Sequence, residues 1–202
     1  SKINQLRIVR NLDSKLYSSL KRQLPYVVCA MFNPSFRKTT NFAYTEYFIL
    51  DVDHIYDKGL DLEQVRAKIE SDSRVVLCFL SPGEDGLKVL FRLKARCFDA
   101  GIYSLFYKAF LKDFSSRYGL EQVIDERTCD VCRACFVSID KKAYYNPEAE
   151  AVDLNVYLPQ ENVDGLFALK RELDKEAKEN EKEQQETRDK EPDDEVISRV
   201  KA

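Results

Sequence analysis

Phe48-Ile49-Leu50-Asp51-Val52-Asp53-His54 is an apolar run that ends in two acids. Its aromatic and β-branched members read as a buried strand. Side chains two apart on a strand share one face, so Asp51 and Asp53 project together while Leu50 and Val52 turn to the other side. Two carboxylates held that close repel each other and lose hydration unless a cation lies between them, which makes a divalent metal their natural partner. A polar strand terminus with no ligand is the competing reading of the same D-x-D pattern.

Working outward toward the N-terminus, Arg37-Lys38-Thr39-Thr40 is a short cationic, hydroxyl-bearing loop that leads into this strand. Arg37 and Lys38 are therefore candidates for contact with a phosphate backbone. Asn33-Pro34-Ser35 reads as a turn, and residues 26–32 before it as another strand. Asp13 is placed to cap a helix carrying Leu16, Tyr17 and Leu20 that stops at Pro25, whereas residues 3–12 show no clear period.

Toward the C-terminus, Asp61 caps a helix with Leu62, Val65 and Ile69 on one face. Strands are predicted over residues 74–80 and 87–93. In the second, Leu87, Val89, Phe91 and Leu93 alternate with Lys88, Leu90 and Arg92. Ser81-Pro82-Gly83-Glu84-Asp85-Gly86 joins them as a tight hairpin. Its backbone N–H groups offer an anion-binding concavity, and Lys88 adds a point charge suited to a triphosphate. Ligand-free hairpins use the same turn residues. Asp99 caps the longest helix, in which Ile102, Leu105, Phe106, Ala109, Phe110 and Phe114 recur at helical spacing and Gly119 is the stop. Val123-Ile124-Asp125 then repeats the pattern of an acid at a strand end. A third carboxylate meeting the first two completes a site for one or two octahedral cations. Residues 134–139 read as a further strand.

Composition sets the outer bounds. Residues 1–165 hold 23 Lys/Arg against 23 Asp/Glu, so the expected globular domain is neutral and does not coat nucleic acid by bulk charge. Residues 166–202 hold 9 against 12 and carry few apolar side chains, which predicts a charged helical or disordered linker within a longer polypeptide. No long apolar run or signal-peptide pattern occurs, so a cytoplasmic protein is expected. Cys129, Cys132 and Cys135 invite a zinc reading, but a structural site takes four ligands and the single His, His54, is distant in sequence.

Taken together, Asp51-Val52-Asp53, the hairpin from Ser81 to Lys88, and Ile124-Asp125 with Arg133 and Lys142 resemble the signature of the archaeo-eukaryotic primase superfamily. The likeness is to its primase-polymerase branch, including CRISPR-associated primase-polymerases. It spans residues 25–147. It departs from the pattern at Lys88, where the family usually has His, and at Phe136, where a cation is expected. The resemblance implies an α+β fold: a mixed or antiparallel sheet with packed helices, one half of it RRM-like. It implies template-dependent nucleotidyl transfer on single-stranded or primed DNA, with two Mg²⁺ or Mn²⁺ ions on Asp51, Asp53 and Asp125. Ser81, Gly86, Lys88, Arg133 and Lys142 are then expected to hold the nucleoside triphosphate, and CRISPR spacer-acquisition proteins are implied as partners. Two alternatives stay open. A metal-dependent nuclease uses similar groups, although Lys88 stands three residues after Asp85 rather than two. A non-catalytic single-strand-binding module would keep the fold without the chemistry.

Overall fold

In the computed structural model, residues 1–124 and 129–158 are described, with Gly165, Ala168, Lys170, Arg171 and Lys175 as further helical positions. Asp125 and most of the charged tail lie outside the described residues. The chain divides into two units, Ser1–Leu158 and Pro159–Ala202. Among the described residues no helix is long and apolar enough to cross a membrane.

The first unit is α+β. Its strands are β1 (Tyr26–Val28), β2 (Ala30–Phe32), β3 (Phe42–Val52), β4 (Val75–Leu80), β5 (Leu87–Cys97), β6 (Ala134–Phe136) and β7 (Tyr144–Tyr145). The helices are α1 (Lys2–Val9), α2 (Ser14–Arg22), α3 (Leu62–Glu70) and α4 (Ala100–Tyr118). Five strands form one sheet in the order β2-β3-β5-β4-β7, every neighbour antiparallel, and β1 pairs with β6 in a separate antiparallel ribbon. This pairing does not by itself establish an RRM-like half.

Strand alternation decides which face is buried. Phe48, Leu50 and Val52 of β3 and Leu87, Val89 and Phe91 of β5 are fully buried in one core with Phe106, Tyr107, Phe110 and Phe114 of α4. Phe48 and Phe91 stack at 5.1 Å, and Phe110 meets both edge-on at 4.9 and 5.0 Å. The other face of β3 and β5 is thereby left for Asp51 and Lys88. Asp99 accepts from the Ile102 N–H at 2.8 Å to start α4, and Gly119 ends it in the left-handed conformation. The buried stripe of α4 is rotated by about one position from the pattern read in sequence. Ile102 is exposed, while Tyr103 and Tyr107 are buried and the Tyr107 hydroxyl donates to the Ile49 carbonyl at 3.1 Å.

Three elements differ from expectation. The strand predicted over 26–32 breaks at Cys29, whose carbonyl accepts from the Thr45 hydroxyl at 3.1 Å, and its halves join different sheets. The strand predicted over 134–139 stops at Phe136. Residues 3–12 hold helix α1, which was invisible to periodicity because it buries only Ile3 and Leu6. Those two close a small separate cluster with Leu24, against which Tyr17, Leu20 and Phe136 pack.

Charged pairs fasten the sheet's edge. Burial alone would raise the Asp72 carboxyl, but hydrogen bonds from the Arg74 side chain and backbone and from the Tyr118 hydroxyl hold it below its ordinary value. A carboxyl whose pKa is lower folded than unfolded adds stability above its unfolded value, about 3.9, and that stability disappears as pH falls through the folded value. Asp72→Asn is therefore expected to be less stable than the unmodified protein at pH 7, with the difference shrinking below about pH 4. Urea unfolding across that range checks this, and a pH-independent difference would contradict it.

Candidate active site

The site is built on the solvent-facing side of β3 and β5. Asp51 lies directly opposite Lys88 in the antiparallel register, so their side chains leave the sheet on the same face as a cross-strand pair. The Lys88 ammonium contacts Asp51 Oδ1 and stands 3.8 Å from Asp53 Oδ1. Arg133 closes the other side of Asp51, donating to Oδ2 at 3.1 Å. Asp51 and Lys88 are buried, whereas the Asp53 side chain is 35% exposed. The cluster thus has a buried, doubly neutralised acid and a second acid open to solvent beside it.

The hairpin reaches this strand end because residue 86 has no side chain. A Cβ on Gly86 would stand 2.7 Å from Asp53 Oδ1 and closer still to the Val52 carbonyl. The turn closes through Ser81 N–H to the Gly86 carbonyl at 2.8 Å and Glu84 N–H to the Ser81 carbonyl at 3.0 Å. Two of the N–H groups counted toward an anion concavity are therefore used inside the turn. Its tip is gripped by two arginines that sequence reading passed over. Arg7 pairs with Glu84 at 3.0 Å, and Arg10 pairs with Asp85 at 2.7 Å while donating to the Gly83 carbonyl at 2.6 Å. Helix α1 explains both: Arg7 in its last turn and the C-cap Arg10 stand about one turn apart along one side.

On the far flank, the Asp53 N–H donates to the Val123 carbonyl at 2.8 Å, and Val52 is bridged to Ile124. Ile124 immediately precedes Asp125 in the chain, and Asp125 itself lies outside the described residues.

A cleft of about 400 Å³ opens over the pair and is lined by Asp51, Asp53, Lys88, Arg133, Arg37 and Lys21, among others. Its volume suits a ligand of nucleotide size. The structure thus brings together Asp51, Asp53, Lys88, Arg133 and Arg37 of the residues expected from sequence, with Gly86 against Asp53. Ser81 is buried at the base of the hairpin, and Lys38 is exposed ahead of β3. Lys142 pairs instead with Glu63 of α3 at 3.0 Å and is not among the residues that line the cleft. Sequence reading missed Lys21 and Asp130, which also line it. They come from α2 and from the loop before β6, and no local motif marks either.

Among the described residues one set of three metal-ligating groups converges: His54, Asp57 and Asp85, with ligand atoms within 4.8 Å of one another. Asp85 already holds Arg10 there, and the other two are exposed, with His54 Nδ1 2.9 Å from Asp57. The cysteines form no such set. Burial raises the Cys135 thiol and, with Cys135 nearby, pushes Cys29 up to about 12, so neither is a reactive thiolate at neutral pH.

The profile of a protein family described as BT4734-like, N-terminal domain, matches residues 19–145. The chain belongs to the BT4734-like family. The BT4734-like region includes every acid and cation that lines the cleft, whereas Arg7 and Arg10 precede it. No curated protein matches the chain in sequence. Among solved structures, the chain is similar to the AEP domain of the Cyanophage S-2L Primase-Polymerase (PrimPol). The identity is 11%, the TM-score is 0.42, and the match covers 73% of this chain and 78% of that one. A likeness of that size carries no weight for the chemistry, which rests on the cleft.

Proposed function

We propose that the cleft is a nucleotidyl-transfer site, which takes a nucleoside triphosphate with Mg²⁺ or Mn²⁺ and adds it to a strand on a single-stranded or primed DNA template. The observation that carries the reading is the cross-strand set of Asp51, Asp53 and Lys88, with Arg133 on the far side of Asp51, at the floor of a nucleotide-sized cleft. Carboxylate oxygens are the donors that hard divalent cations select, so Asp51 and Asp53 fit such an ion. Asp125 is proposed as a third ligand, because the residue before it is bridged to Val52.

When bound, the ions supply Lewis-acid activation of the attacking hydroxyl and neutralise charge on the leaving pyrophosphate. The strand's 3′-oxygen forms a bond to the α-phosphorus, the bond to the β-phosphate oxygen breaks, and the hydroxyl proton passes to solvent. The chain's own residues orient and neutralise. Lys88 and Arg133, the cations beside Asp51, would be the partners of the triphosphate, with Asp51 and Asp53 holding the metal. Ser81 and Gly86 set the position of the hairpin from which Lys88 emerges.

Incubation with a labelled primer on a longer template, nucleoside triphosphates and Mn²⁺ tests the reading. Lengthened primer is expected. Shortened primer would move the site to phosphodiester hydrolysis, and an unaltered strand would remove catalysis.

A further inference from the structure

Beside the acid pair, the β1-β6 ribbon presents an aromatic pair outside the main core. Tyr26 and Phe136 face each other across the ribbon, with ring centroids 6.3 Å apart and planes at 83°. Tyr26 is 51% exposed and its strand neighbour Val27 is 52% exposed. The Arg37 guanidinium lies over the Tyr26 ring, 4.9 Å from its centroid. Arg37 and Phe136 line the same cleft as Asp51 and Asp53.

We infer that Tyr26, backed edge-on by Phe136, is a stacking platform for an unpaired base of a single-stranded nucleic acid, with Arg37 and Lys21 meeting its phosphates. The Arg37 guanidinium covers this face of the ring, and a base that displaces it would make the same flat contact while releasing the cation to meet a phosphate. Phe136 packs on its other side against the Ile3, Leu6 and Leu24 cluster, so the platform is anchored rather than free to swing. A protein partner is the less suited occupant, because it would need a broad apolar patch, whereas this one is bordered by cations. An aromatic face flanked by basic side chains matches the physics of single-strand binding. The position of Phe136, where the sequence signature leads one to expect a cation, thus acquires a role of its own.

The inference rests on the nucleotidyl-transfer reading only for why a strand enters this cleft, and its test is separable from that reading. Fluorescence anisotropy, without metal or triphosphate, would follow an oligothymidylate of roughly 12 nucleotides and an abasic strand of equal length. Tyr26→Leu is expected to weaken binding of the oligothymidylate by roughly ten- to a hundredfold. Tyr26→Phe should stay within about twofold, since the ring is what stacks. The abasic strand should bind weakly to the unmodified protein and be insensitive to Tyr26→Leu. Arg37→Gln should flatten the salt dependence. Equal affinity of the Tyr26→Leu and unmodified proteins for oligothymidylate would overturn the platform, as would an equal loss with the abasic strand. A change in self-association with unaltered strand affinity would also overturn it, in favour of a protein interface. If primers are not extended but strand affinity still depends on Tyr26, the catalytic reading fails and the platform stands. If they are extended and affinity ignores Tyr26, the reverse holds.

Discussion

Asp51→Asn is expected to lower nucleotide incorporation by at least about a hundredfold, because each ligand to a catalytic cation is worth several kcal/mol of transition-state stabilisation. Asn keeps the size of the side chain and can still accept from Arg133, so the fold should survive. Lys88 loses its closest anion but keeps Asp53 at 3.8 Å, which limits the cost of leaving an ammonium at a buried position. Single-turnover incorporation measured beside a thermal melt checks both halves. A variant that folds normally and retains more than a tenth of the activity would show that Asp51 is an internal partner of Lys88 and no more. Asp53→Asn is expected to behave alike in incorporation with a smaller effect on stability, since Asp53 is the more exposed acid.

The second large effect falls on stability. Asp140 accepts from Arg66 at 2.9 Å, from the Leu80 N–H at 2.8 Å and from the Lys142 N–H at 2.8 Å, and the two side chains of the ion pair are 7% and 6% exposed. Burial would raise its carboxyl, but these hydrogen bonds hold it below the ordinary value. Asp140→Ala strands the Arg66 guanidinium and the last amide of β4. Breaking one side of a buried pair costs about 3–5 kcal/mol, and the contacts left to Arg66, the Lys142 carbonyl at 3.2 Å and Glu70 at 3.6 Å, place the expected loss near the lower end. The melting temperature should fall on the order of 10 °C. A shift under about 2 °C would contradict the role assigned to this pair. Leu80 leads directly into Ser81, so the same variant should also loosen the hairpin that carries Lys88.

Much of this was legible in the chain. The alternation of Leu87, Val89 and Phe91 with Lys88 gave the face of β5, and the acid-x-acid end of β3 gave Asp51 and Asp53, because strand period two is a local property. The caps Asp13, Asp61 and Asp99 were readable for the same reason. What escaped was set by long-range geometry. The register that puts Lys88 opposite Asp51 pairs two strands that are distant in the sequence, and no local motif announces it. Arg7 and Arg10 sit on a helix with too small a buried face to show periodicity, and their partners are the hairpin tip some seventy residues onward. The family resemblance groups Lys142 with the phosphate contacts, yet its ammonium is drawn to Glu63 on α3.

The central claim is that Asp51 and Asp53 hold a divalent cation together with a triphosphate. Electron paramagnetic resonance of Mn²⁺ titrated into the protein, with and without a non-hydrolysable nucleoside triphosphate, tests it most directly. Lys88 and Arg133 already balance Asp51, so Mn²⁺ alone should bind weakly and the analogue should tighten it by more than about tenfold, an effect lost in Asp53→Asn. Equal Mn²⁺ binding by Asp53→Asn and the unmodified protein, with or without the analogue, would contradict the account.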